Sequence, residues 1–322
     1  MSRRLPSPPL AARRVLKGDR QALARLISQV ENRDPAVLPT VRALYPHSGD
    51  ATVVGITGPL GVGKSSLVNL LLAHLRGQGK RVGIVAVDPS SPFSGGSILG
   101  DRIRLERPPG DKGVFIRSMA SRGHAGGVAL ATRETVRLLD AFGMDVILVE
   151  TVGSGQSDVE IHDVASTSVV VVVPHLGDEV QSMKAGLFEI ADVFCVNKSD
   201  LPGADSAARY LSEMTQLGAP RGTWRPVVVQ TSTTVPSGIE EMWGAVERHE
   251  AFIDADGSRR TLDRQRLTDE ILGLVKERVD TQLASALARE PDLQALLERV
   301  VAREIDPHTA ADRLLAEVRP SK

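Results

Sequence analysis

Aromatic residues are scarce in this chain, at 3% of 322 residues. Surfaces that stack single-stranded bases need several such rings, so none is expected. There is a single cysteine, Cys195, which excludes an internal disulfide framework and a thiolate-rich metal site. It falls in a run that reads as a buried strand, where a thiol acts as a small inert hydrophobe. The formal net charge is −1, so no long-range field draws the chain to DNA or to an acidic membrane. No apolar run approaches the roughly 18 residues of a membrane helix. The N-terminal arginines are not followed by the apolar stretch of a secretory signal. Together these predict no nucleic-acid partner, no membrane and a cytoplasmic location. The seven histidines are dispersed, with no H-x-x-x-H pair and none beside Cys195. No Ser–His–Asp pattern is visible.

What is present begins with VVGITGPLGVGKSSLVN, from Val53 to Asn69. A short apolar run precedes G-x-x-x-x-G-K-S, Gly58 to Ser65, and apolar helix formers follow. This order predicts strand, phosphate-binding loop and helix. Gly58, Gly61 and Gly63 let backbone N–H groups approach phosphate oxygens closely. Lys64 brings a cation to the β- and γ-phosphates and Ser65 a hydroxyl to Mg²⁺, at a helix N-terminus that favours anions. The candidate nucleotide contacts here are Gly58, Gly61, Val62, Gly63, Lys64, Ser65 and Ser66.

Around this loop, apolar β-branched runs alternate with helical patterns. Val53–Ile56, Val82–Val87, Val146–Val149, Val169–Val173, Val193–Val196 and Val227–Val229 read as buried parallel strands. Ser65–Arg76, Val128–Leu139, Glu179–Ile190 and Ala204–Leu217 read as helices. The alternation predicts an α/β fold, a mostly parallel sheet with helices on both faces, whose ligands bind beyond the carboxyl ends of the strands. A helical arm (1–48) precedes this domain (49–255). Leu23, Leu26, Ile27 and Val30 form one apolar face after Gly18-Asp19, and Val37, Leu38, Val41 and Leu44 repeat it, giving two short helices. A helical extension (256–322) follows, with predicted helices Arg259–Ala288, Pro291–Glu304 and Pro307–Val318. Its stripe Leu267, Ile271, Leu274, Val275 and Val279 needs a partner, either the arm or a second subunit.

Four more stretches stand at strand ends. Asn197-Lys198-Ser199-Asp200 matches N-K-x-D. A carboxylate at Asp200 accepts from guanine N1–H and the 2-amino group, a pair adenine lacks, and so selects GTP over ATP. Asn197 braces the loop and the Lys198 stem lies against the base. Glu150, in Val149-Glu150-Thr151-Val152-Gly153, can hold Mg²⁺ directly or through water, and the Gly153 N–H can reach the γ-phosphate. Asp88 and, after a Ser/Gly-rich loop, Asp101 are further acids for the Mg²⁺ shell. Thr231-Ser232-Thr233 ends the last strand, where backbone could face guanine O6. Phosphoryl transfer to water needs no protein nucleophile, because it rests on positioning and charge stabilisation.

VDPSSPFSGGSILGDRIRL, FIRSMASRGHAGGVA, VETVGSGQSDVEI, GDEVQSMKAG and VNKSD, in this order and spacing, resemble the MeaB/ArgK group. These are methylmalonyl-CoA mutase-associated GTPases of the metallochaperone-like P-loop class, and the likeness runs through nearly the whole chain. It implies a P-loop GTPase domain with a helical arm and a C-terminal helical extension that forms a homodimer. It implies GTP hydrolysis to GDP, with Mg²⁺, that chaperones an adenosylcobalamin-dependent acyl-CoA mutase, gating cofactor loading, protection and reactivation. By position it makes Lys64, Asp88, Asp101, Glu150 and Gly153 catalytic, and Ser65, Asp88, Asp101 and Glu150 metal-binding. Asn197, Lys198, Asp200, Ser232 and Thr233 fall on the base. Gln156, Asp178, Glu179 and Lys184 fall in switches that speak to the mutase. His175 stands where the family has glycine, and Thr233–Gly238 lacks the family's Gly-rich turn. Competing readings are a nickel-delivery maturation GTPase, which wants a His-rich tail or a Cys/His site, and a small-molecule kinase of amino-acid transport, which wants ATP.

Overall fold

The computed structural model describes residues 9–89, 110–121, 127–151, 157–174, 185–217, 224–289 and 291–318. Two compact units divide the chain, Met1–Thr261 and Leu262–Lys322.

The first unit is built on seven parallel strands: β1 (Thr52–Thr57), β2 (Val82–Pro89), β3 (Val114–Ser121), β4 (Val146–Thr151), β5 (Thr167–Val172), β6 (Val193–Val196) and β7 (Val227–Gln230). They lie in the order β3-β2-β4-β1-β5-β6-β7. All six expected strands are present. The Val/Ile runs of the inner strands are buried on both faces, as a sheet with helices on each side requires, whereas Val227 and Val228 of the edge strand β7 are half-buried. Against one face pack helices Lys64–Gly77 and Ile239–Ala255, with Leu67, Leu71, Leu75, Met242, Trp243 and Val246 sharing a core with Val54, Ile56, Leu148 and Val171. Against the other pack helices Gly127–Ala141, Ala185–Ile190 and Ala204–Leu217 together with the N-terminal arm, around Val85, Val149, Val170 and Phe194.

Three expectations are corrected here. A seventh strand, β3, stands at the sheet edge beside β2. Its apolar pattern is broken by Arg117, which donates to Ser28 Oγ at 3.0 Å and to Glu31 of the arm. A charge inside a strand hides it from a reading by apolar runs. The arm has three helices rather than two, Leu10–Leu16, Arg20–Glu31 and Leu38–Leu44. Arg13, Arg14 and Lys17 conceal the first, although Ala12 and Val15 are fully buried. Helix Ile239–Ala255 follows β7, and the strand–helix reading did not place it. It starts after Gly238, whose φ of +74° and whose place against the Gln230 carbonyl oxygen (1.9 Å from any added Cβ) leave no room for a side chain.

The arm is continuous with the core. Asp19 caps helix Arg20–Glu31, as the Gly18-Asp19 signal predicts, accepting from the Gln21 and Ala22 N–H groups at 3.0 Å each. Leu23, Leu26, Ile27 and Val30 join the cluster beneath the sheet. Arg20 donates to the carbonyls of Lys112 (2.8 Å) and Val114 and lies over the Phe115 ring at 5.2 Å. Of the helix expected over Glu179–Ile190, the part Ala185–Ile190 is described; residues 179–184 lie outside the described residues.

Helix Ser258–Arg289 begins in the first unit and runs into the second, where Pro291–Val301 and Pro307–Val318 complete the helical extension. Leu293, Leu296 and Ala310 are buried within it, whereas Ile271, Leu272 and Val275 are more than half exposed. Among the described residues no helix is long and apolar enough to cross a membrane.

Cys195 is fully buried in β6, and burial pushes its thiol up to about 12. The native protein at pH 8 should therefore react with a disulfide reagent roughly a thousandfold more slowly than the unfolded chain. Rapid native labelling, followed by thionitrobenzoate release, would contradict this burial.

Candidate functional site

The strand order decides which loops meet. β1 lies between β4 and β5, and β6 joins β5 to β7. The carboxyl ends of β4, β1, β6 and β7 therefore open on the same side of one sheet, and each of these ends carries one of the sequence motifs.

The loop after β1 folds tightly over β5. Gly58 has φ +139°, and a Cβ there would lie 2.2 Å from the Val171 carbonyl oxygen, a position closed to any side chain. Helix Lys64–Gly77 starts from Gly63 with no side-chain cap and no acidic residue in its first turn. Its leading N–H groups thus face the loop as an anion-binding end. Lys64 is buried, with Nζ donating to the carbonyls of Gly58 (2.7 Å) and Pro59 (2.9 Å). The cation arches back over the loop that an anion would fill. Ser66 is exposed in the first turn and Val62 is buried beneath the loop.

Ser65 Oγ donates to Glu150 Oε1 at 2.6 Å. Glu150 is 7% exposed at the end of β4, paired in register with Ile56 of β1 and Ala86 of β2. A buried carboxylate beside a hydroxyl is a set of hard oxygen donors of the kind Mg²⁺ takes. Asp88 falls near the end of β2, with its side chain outside the described residues. Asp101, Gly153, Gln156, His175, Asp178, Glu179 and Lys184 lie outside the described residues altogether.

The N-K-x-D segment is tied to the phosphate loop directly. Asn197 is fully buried and its Nδ2 donates to the Val62 carbonyl at 2.7 Å. Lys198, at φ +57°, reaches the Gly61 carbonyl with Nζ at 3.0 Å, so its stem runs across the loop. Asp200 is exposed and accepts from Ser232 Oγ, which in turn accepts from the Val235 N–H at 3.1 Å. The turn after β7 closes through reciprocal backbone bonds between Ser232 and Ser237 at 3.1 and 3.2 Å. Thr233 is half-buried at the start of that turn.

Two features were missed from sequence. Thr231 was read only for its backbone, yet its hydroxyl donates to Asn197 Oδ1 at 3.2 Å and lies 3.1 Å from Cys195 Sγ. That bond fixes which end of the Asn197 amide faces Val62. The Thr231 proton is committed to Asn197, so the Cys195 S–H is the donor to Thr231. The second is a buried pair at the ends of β4 and β1, where Thr151 Oγ1 donates to Thr57 Oγ1 at 2.9 Å. The available signal was a hydroxyl residue closing each of two adjacent apolar strands.

A model of the family described as methylmalonyl Co-A mutase-associated GTPase MeaB matches residues 23–288. A Pyrococcus abyssi protein, provisionally named a GTPase, is 45% identical over 308 residues, covering 95% of each chain. The mouse protein named methylmalonic aciduria type A homolog, mitochondrial, is 33% identical over 319 residues, covering 94% of this chain and 77% of its own. A crystal structure described as a LAO/AO transport system kinase matches with a TM-score of 0.70 at 26% identity, covering 96% of each chain.

Replacing Thr231 by valine keeps the shape and leaves the buried Asn197 oxygen without its donor. The expected outcome is a loss of about 1–3 kcal/mol in stability and faster release of a bound fluorescent nucleotide, with Thr231→Ser restoring most of both. A valine variant that melts and releases nucleotide like the parent would show that this hydrogen bond supports neither.

Proposed function

The chain belongs to the MeaB family of methylmalonyl-CoA mutase-associated GTPases, and we propose that it uses the GTP cycle to chaperone an adenosylcobalamin-dependent acyl-CoA mutase. As a GTPase it binds guanine nucleotide and hydrolyses GTP. In the proposed role, the nucleotide state gates loading of intact cofactor, its protection on the mutase, and removal of damaged cofactor. The observation that carries this reading is the family match over residues 23–288. It spans the phosphate loop, Glu150 and the N-K-x-D segment alike, and the mouse relative's name points to the same methylmalonyl chemistry.

In this reading the Lys64 ammonium exchanges the Gly58 and Pro59 carbonyls for the β- and γ-phosphate oxygens, and the phosphates occupy the uncapped helix end. Ser65 and Glu150 would hold Mg²⁺, with Asp88 and Asp101 as further acids of its shell. Bound there, the ion would supply positive charge against that developing on the phosphates. Gly153 contributes an N–H to the γ-phosphate. Asp200, preset by Ser232, reads the guanine edge, while Asn197 holds its loop onto Val62. Thr233 borders the base. Gln156, Asp178, Glu179 and Lys184 carry the nucleotide state to the mutase.

The exposed Ile271, Leu272 and Val275 support a homodimer through the segment 256–322. Light scattering on the full chain should give twice the chain mass, and a monomer at micromolar concentration would overturn that assignment.

The kinase description of the structural relative motivates a second reading, phosphate transfer from ATP to a small molecule. One assay separates the two: GTP and ATP turnover by the purified chain, alone and with a methylmalonyl-CoA mutase from the same source. Slow hydrolysis specific for GTP that rises about tenfold or more with the mutase is expected, by analogy with partner-stimulated GTPases. GTP turnover indifferent to the mutase would remove that client. ATP turnover that phosphorylates a small molecule would favour the kinase.

A further inference from the structure

The sheet forks at the candidate site. Between β1 and β4 the last registered pair is Ile56 with Glu150. Beyond it Thr57 stays registered with Val170 of β5, and Thr151 with Val87 of β2. The phosphate loop and Ser65 therefore continue from the β5 side of the fork, and Glu150 stands at the root of the β2 side. A metal ion held by Ser65 and Glu150 would straddle the gap, so its site depends on how far the fork opens. One tie crosses on the face of helix Lys64–Gly77, from Ser65 Oγ to Glu150 Oε1 at 2.6 Å. Both of its atoms are ones the ion would engage, so its geometry follows the ligand state.

A second tie crosses on the opposite face. Successive residues of a strand point to opposite faces of the sheet. Ile56 and Leu148 belong to the cluster under helix Lys64–Gly77, and Val149 to the cluster on the other side. Glu150 accordingly shares the first face with Ser65, and Thr57 and Thr151 share the second. There Thr151 Oγ1 donates to Thr57 Oγ1 at 2.9 Å, with Thr57 fully buried and Thr151 2% exposed. Out of water such a bond is strong. β1 fastens the chain once more on this face. A Cβ at Gly55, two residues before Thr57, would lie 2.7 Å from Ile161 Cγ1, so Ile161 rests directly on the strand. Residues 151 and 161, on either side of the stretch that contains Gly153 and Gln156, are thus both set against β1.

We propose that Thr57 and Thr151 are positioning residues of the GTPase, whose bond fixes the opening of the fork and with it the spacing of Ser65 and Glu150 at which Mg²⁺ is held. In this role neither touches nucleotide or metal. Each acts through its neighbours in the chain, Thr57 through Gly58 and the phosphate loop, Thr151 through Glu150. The inference rests on the metal reading of Ser65 and Glu150 given above. It divides two duties between the faces of the sheet. The oxygens on the phosphate-loop face change partners with the ligand, and the hydroxyls on the far face hold the frame. Loss of the frame weakens the hold on Mg²⁺. The guanine contacts at Asn197 and Asp200 follow β6, on the far side of β5 from the fork, and are spared.

The test is a Mg²⁺ titration of GTP hydrolysis by the full chain, with GDP affinity in EDTA as the control and a melting curve for each variant. Thr151→Val should raise the Mg²⁺ midpoint about fivefold, the order of one lost hydrogen bond, and leave metal-free GDP affinity within about twofold. Thr151→Ser should restore the parent midpoint. Thr57→Val probes the same bond from the other strand if Thr151→Val fails to fold, and the double valine variant should shift the midpoint no further than either single one. A folded valine variant with the parent midpoint overturns the proposal. So does one that loses metal-free GDP affinity to the same extent, or a serine variant that behaves like valine. Glu150→Gln separates this from the metal reading and should raise the midpoint more than either valine. An unchanged midpoint in Glu150→Gln removes the metal reading and the inference together, whereas a shift there with none in the valine variants removes the inference alone.

Discussion

One buried amide holds the candidate site together. Asn197 reaches from the loop after β6 into the loop after β1 and binds the Val62 carbonyl. Groups that would read the base are thereby fixed to groups that would hold the phosphates. The bond lies out of water, where a hydrogen bond is strong and a missing partner is costly. Its direction is set by Thr231, and Thr231 is set by Cys195. The single cysteine, an inert hydrophobe by its pattern, is also the last donor in a line of four groups that ends at the phosphate loop. Val171 completes the arrangement from below, because its carbonyl oxygen occupies the space that a side chain at position 58 would need.

Much of this was legible in the sequence, for a physical reason. A parallel sheet with both faces covered must be apolar along its strands, so β1, β2, β4, β5, β6 and β7 announce themselves as Val/Ile runs. The phosphate loop and N-K-x-D are legible because their chemistry demands particular residues at fixed spacing. What escaped shares the opposite property. β3 carries Arg117, whose partners are Ser28 and Glu31, far away in sequence. Helix Leu10–Leu16 buries two small residues among basic ones. The Thr231 and Thr57–Thr151 bonds are made by ordinary strand-end hydroxyls, and only the sheet order brings their partners within reach.

The two ends of the sheet are built on different principles. At the carboxyl ends, Lys64, Lys198 and Ser65 are satisfied by carbonyls or a carboxylate of the chain itself. Those bonds can be exchanged for bonds to an anion or a cation of similar geometry. At the amino ends, Asp192 lies against His249 and Glu250 pairs with Arg259, with the Ser168 amide on the other Asp192 oxygen. One end is poised for substitution by ligand atoms, and the other fastens the helix that leads out of the sheet unit.

The N-terminal arm has a consequence for the life of the chain in a crowded solution. β3 is an edge strand, and an edge strand offers a row of free carbonyl and amide groups to any other extended chain. Gly113 turns its carbonyl inward to Val82, which leaves those of Lys112 and Val114 pointing outward, and Arg20 caps both. The arm is therefore a sheath on the open margin of the sheet as much as a part of its core. A chain shortened by that arm would present a bare margin to its neighbours, and its first failure would be self-association into aggregates before any loss of nucleotide chemistry.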